Sequence, residues 1–139
     1  MADDKTHTPE QPKTGIEYKE CEDFVELYAN NVQFFSSNWD LELHLGQLDQ
    51  KQGPNVVVQK ASVTLSWATA KILWYFLSLN LIGHEGDFGR IIIPTGIVPE
   101  VPAHKPKELA HVKDEAFQAA RKFYLDFVAR NPEAGPRQS

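Results

Sequence analysis

Between Ala68 and Ile82 the apolar positions recur at helical spacing, and they do so on two sides at once. At about 100° per residue, Ala70, Leu73, Trp74, Leu77 and Leu81 share one side. Ala68, Ile72, Tyr75, Phe76, Leu79 and Ile82 share the other. Two narrow polar lanes, Thr69 with Asn80 and Lys71 with Ser78, separate them. A surface helix carries one apolar stripe, whereas a helix apolar nearly all round is buried between partners. The pattern therefore predicts a central helix over residues 66–85, sandwiched between two neighbours. A membrane span is disfavoured, because Lys71 and His84 flank the run from Ile72 to Ile82, and a span needs roughly 18–20 apolar residues.

Before this helix the period changes to two. Val25, Leu27 and Ala29 alternate with polar or tyrosine positions, then Val32, Phe34 and Phe35 carry the apolar content, and this phase change near Asn30-Asn31 within one strand pattern suggests a bulge or bend. Ser36-Ser37-Asn38 is a turn cluster, and Trp39 opens a second strand. There Leu41, Leu43 and Leu45 point one way and Asp40, Glu42 and His44 the other. Gly46 ends that strand or marks a second irregularity. A polar loop with Gly53-Pro54 leads to a third strand over 56–65, rich in Val and Thr. Short links make neighbouring strands antiparallel. Ser66 is placed to cap the helix, and Gly83, Gly86 and Gly89 are expected to break or cap its far end.

After the helix, Arg90 to Pro94 suggests a short fourth strand, and Pro94, Pro99, Pro102 and Pro106 give a stiff connector. Val112, Ala116, Ala120, Phe123, Tyr124, Phe127 and Val128 then form the single apolar face of a C-terminal helix stopped by Asn131-Pro132. The chain is thus expected to be α+β: an antiparallel three- to four-stranded sheet packed on a central helix, plus a C-terminal amphipathic helix. Its expected divisions are a disordered tail over 1–15, a β-β-β-α core over 16–93, the proline-rich connector over 94–106, the helix over 107–131 and a tail over 132–139.

Composition narrows the function classes. At 139 residues the chain is sized for one domain. A net charge of −5 with no basic run argues against a non-specific grip on nucleic acid or anionic membrane. One cysteine excludes an internal disulfide and fits a reducing compartment, so a cytoplasmic location is expected. Cys21 stands between Glu20 and Glu22, a setting that does not favour a reactive thiolate. The polar start of the chain lacks the apolar core of a signal peptide.

Catalytic motifs do not gather. Asp87-Phe88-Gly89 spells a kinase triplet without the glycine-rich or catalytic loops that give it meaning. His44, His84 with Glu85, and His104 lack metal-ligand spacing. Ser66 serves better as a cap than as a nucleophile. Trp39, Trp67 and Trp74 with Phe34 and Phe35 offer an aromatic platform for single-stranded nucleic acid, but Asp40 and Glu42 stand where such platforms carry Lys and Arg. No catalytic residue, metal site or cofactor is expected.

In order along the chain, Tyr28-Ala29-Asn30, Trp39-Asp40-Leu41 with Leu43-His44-Leu45-Gly46, Ser66 through Ala70-Lys71, His84-Glu85 and Phe88-Gly89-Arg90-Ile91 resemble the domain of unknown function 3467 family. Its members are small, mostly bacterial proteins. The resemblance covers roughly residues 25–92, and it departs from the family pattern at Trp67, Leu41, His44 and His84. It implies a fold and no activity.

The reading is a non-enzymatic, homodimeric binding or scaffold protein, a protein–protein interaction module. A single-stranded nucleic-acid or regulatory binder using the aromatic strand face is the alternative. One face of the central helix is assigned to the preceding strands. The other is covered either in cis by the C-terminal helix or in trans by a second subunit. The candidate interface is Ile72, Tyr75, Phe76, Leu79, Ile82, Phe123, Tyr124 and Phe127.

Overall fold

A computed structural model describes residues 15–136. Most of the tail expected over 1–15, and the end of that expected over 132–139, lie outside the described residues. The elements run β1 (Asn31–Ser36), β2 (Asp40–Leu48), β3 (Val57–Ser66), α1 (Trp67–Phe88), a 3-10 turn (Lys107–Leu109), α2 (Asp114–Arg130) and a second 3-10 turn (Pro132–Ala134). The class is α+β. Two compact units divide within α1, residues 1–70 and 71–139.

In the first unit the three strands form an antiparallel meander in the order β1-β2-β3. Ser37 makes the first turn: its hydroxyl accepts from the amides of Trp39 and Asp40, each at 3.1 Å. Trp39 therefore sits in the turn, and β2 begins one residue later than the alternation suggested. Leu45 pairs with Ala61 but Gly46 with Gln59, which leaves Lys60 unpaired in a β-bulge. Gly46 is not a strand end, because β2 runs on to Leu48. A Cβ on Gly46 would stand 2.7 Å from Val57 Cγ1 and 2.8 Å from the Val58 carbonyl oxygen, so the crossing strand demands glycine.

The first strand starts at Asn31 rather than Val25: β2's partner residues are Asn31–Ser36, and Val25–Ala29 forms no strand. A period-two pattern without a pairing partner has nowhere to place its backbone bonds. Asn30 closes the ladder instead: its amide donates to Gly46 O at 3.0 Å and its side chain accepts from the Leu48 amide at 2.8 Å.

Register sorts the sheet into two faces. Val32, Phe34, Leu41, Leu43, Leu45, Ala61, Val63 and Leu65 share one. Gln33, Phe35, Glu42, His44, Ser62 and Thr64 share the other. Within the first unit this apolar face is exposed: Phe34 is 62% exposed, and Gly46 is the one buried residue among those described in that unit.

α1 follows β3 without an intervening residue. Ser66 caps it as the sequence predicts, its hydroxyl accepting from the Thr69 amide at 3.1 Å. The helix passes through Gly83 and Gly86. It stops at Gly89, whose φ of +88° breaks the helical path while its amide still donates to Glu85 O at 3.0 Å. No residue of α1 is buried.

In the second unit, Arg90–Pro94 does not form a fourth strand; the sheet has three. Arg90 Nη1 donates to both Glu133 oxygens at 2.6 and 2.7 Å, and the Ile93 amide donates to Glu133 Oε1 at 3.3 Å. α2 starts at Asp114 rather than 107, since Lys105 Nζ engages the Val112 carbonyl and the Asp114 carboxylate just ahead of it. The small core of this unit comprises Phe117, Tyr124 and Ala134. Ala134 belongs to the stretch read from sequence as tail; the turn that follows α2 folds it inward.

Candidate functional site

The dominant surface feature is α1. Trp74 is 60% exposed and Ile82 68%, and Ile72, Leu73, Tyr75, Phe76, Leu77, Leu79 and Leu81 are exposed too. The 3.6-residue turn distributes these side chains over both sides of the helix, and no charged residue interrupts the run from Ile72 to Ile82. Ser78 and Asn80 bond back onto the helix: Ser78 Oγ donates to Trp74 O at 2.7 Å and Asn80 Nδ2 to Phe76 O at 2.8 Å. These two side chains therefore add little polar hydrogen-bond demand to the helix surface.

Of the candidate interface residues, Ile72, Tyr75, Phe76, Leu79 and Ile82 lie together on one side of α1. Phe123 is exposed on α2 and Phe127 is half-buried beside it, their rings stacked with centroids 6.4 Å apart. Tyr124 is different: at 8% exposure it belongs to the core of its own unit. Two further apolar surfaces are present. One is the sheet face assigned from sequence to the central helix, which is exposed around Val32, Phe34 and Val63. The other is a cavity of about 330 Å3 between the proline segment and α2, lined by Val98, Pro99, Val101, Ala120, Phe123, Tyr124 and Phe127. Arg121 Nη1 anchors the segment by donating to the Val101 carbonyl. The only available signal was Val98 and Val101, three residues apart across Pro99 and Glu100, and the prolines around them masked it.

The polar face of the sheet carries one cluster. His44 Nε2 lies 2.6 Å from Glu42 Oε1, and Ser62 Oγ donates to the same oxygen at 2.8 Å. Bonding to His44, and next to Ser62, holds the Glu42 carboxyl below its ordinary range. Phe35 packs on the His44 ring with centroids 4.7 Å apart. The carboxylate stands between the hydroxyl and the imidazole, so His44 does not contact Ser62 as the base of a nucleophile–histidine–acid relay would. His84 lies against Phe88 at 4.9 Å on α1. Among the described residues no three His, Cys, Asp or Glu side chains come together as a metal site.

The aromatic platform does not assemble as one surface. Phe34 and Phe35 point to opposite faces of β1, Trp39 stands in the turn, and Trp67 Nε1 donates to Ser37 O at 3.1 Å. Lys60 is engaged with Gln47 at 2.7 Å. Among the described residues no helix is long and apolar enough to cross a membrane.

Comparison with characterised proteins and with solved structures gives no match. The family described as "Protein of unknown function (DUF3467)" matches residues 1–93, from the start of the chain through β1, β2, β3 and α1 to Ile93. That span holds Asn30, Gly46, Ser66 and Gly89, whose geometry closes the ladder, admits the bulge, caps α1 and ends it. The chain therefore belongs to the DUF3467 family.

Proposed function

We propose that this protein is a non-enzymatic protein–protein interaction module that works as a homodimer. The observation that carries this reading is α1: twenty-two residues, none buried, with large apolar side chains exposed on both sides. Exposed apolar surface of that extent on a monomer marks an association site or an aggregation liability. Nine large side chains about half exposed, at roughly 100 Å2 each, give α1 about 900 Å2 of surface. That exceeds the roughly 800 Å2 one partner contributes to a standard stable interface. An internal α2 cover for the second face is not what the exposures of Ile72, Tyr75 and Ile82 favour.

The single-stranded nucleic-acid reading has weaker support, given the net charge of −5 and the divergent Phe34 and Phe35. Light scattering on the full chain tests the proposal. A mass twice 15.7 kDa is expected. Replacing Leu79 by Lys should halve it, because a charge buried in an apolar interface is costly unless paired.

A further inference from the structure

We propose that α1 of one copy covers the apolar sheet face of the other, so that the dimer is an exchanged one; this rests on the self-association proposed above. The chain's own connection argues for exchange. A helix that turns back over the sheet preceding it needs residues to reverse direction, commonly about two to six. Here β3 ends at Ser66 and α1 starts at Trp67. The junction is also fixed at its start: the Ser66 hydroxyl caps Thr69, and Trp67 donates to Ser37 O in the β1–β2 turn.

The two surfaces match in size and chemistry. At about 1.5 Å per residue the eleven residues from Ile72 to Ile82 span roughly 16 Å. The apolar stretch Leu41–Leu45 of β2, opposite Ala61–Leu65 of β3, spans about the same length at about 3.3 Å per residue. Neither surface carries a charge: the helix has none from Ile72 to Ile82, and the sheet offers Val32, Phe34, Leu43 and Val63. The opposite sheet face, with Glu42, His44 and Ser62, needs no cover. A two-fold axis then gives each α1 its second neighbour, because the two helices meet across it while their other sides face the sheets. Both apolar sides of α1 are occupied in one closed dimer.

The test uses the full chain with Cys21 replaced by Ser. Two differently tagged copies are co-expressed, one carrying Phe34→Cys and the other either Leu77→Cys or Phe76→Cys, one on each side of α1. A short thiol-reactive cross-linker should join the two tagged copies for at least one pairing. The double variant in a single chain should give covalent dimers rather than an internal link. An internal link overturns the exchange, and so does the absence of any link while the mass stays dimeric; in the latter case the interaction module stands without this geometry. A monomeric mass removes both readings. As a second measurement, Phe34→Lys should halve the mass whereas Thr64→Lys, on the polar face, should leave it unchanged. A dimeric mass for Phe34→Lys contradicts the proposal.

Discussion

Gly46 is where a single atom decides the local structure. The Val58 carbonyl oxygen would stand 2.8 Å from its Cβ, and backbone cannot move aside as a flexible side chain can. Gly46→Ala should therefore destabilise the fold by about 1–3 kcal/mol, the usual cost of overpacking, as read by urea unfolding. Ser66→Ala removes the cap bond to the Thr69 amide and should cost about 1 kcal/mol. Glu133 makes a pH-dependent contribution. Hydrogen bonding from Arg90 is the largest influence on its carboxyl, holding it below the ordinary 4.5. Stability from this pair is then present above that ordinary value and is lost as pH falls through the lowered folded one. Glu133→Gln should accordingly destabilise at neutral pH and matter little in strong acid. Equal destabilisation at both would show that the charge is not the cause. At this scale the sequence revealed what is local: the Ser66 cap and the irregularity at Gly46. It did not reveal Arg90 with Glu133, forty-three residues apart, because no periodicity links them.

Elements were legible where pattern and pairing agree. β2 and β3 alternate clearly and each finds a neighbour. Val25–Ala29 alternates as well, yet the ladder on β2 closes at Asn30 and no strand forms. Pattern states which face a strand would bury, while pairing decides whether it exists. The helix end failed for a related reason. Gly83 and Gly86 each cost roughly 1 kcal/mol relative to Ala, but neither adopts positive φ, and cooperative propagation carries the helix on to Gly89. Nothing lies within 4 Å of a Cβ built at Gly83 or Gly86. Gly86→Ala should therefore raise helicity and stability by about 0.5–1 kcal/mol, measured by circular dichroism. A loss would mean that a closely approaching surface needs the glycine, which the separated chain does not display.

For the whole molecule, the two apolar sides of α1 were legible from residue spacing alone. Tyr124 was not distinguishable from Phe123 by type or period. The turn after α2 brings Ala134 into the same small core, and no periodicity in so short and polar a stretch marks it as buried. The apolar sheet face was legible in the alternation of β2 but its exposure was not, because an alternating strand reads the same whether or not a helix covers it. The described residues contain three buried hydrophobic side chains, all in the second unit, and the larger apolar surfaces are exposed. Self-association through α1 is the central claim, and the solution mass of the full chain tests it most directly. Light scattering across a dilution series should give twice 15.7 kDa. A chain that stays at 15.7 kDa while keeping its helical circular dichroism would contradict it.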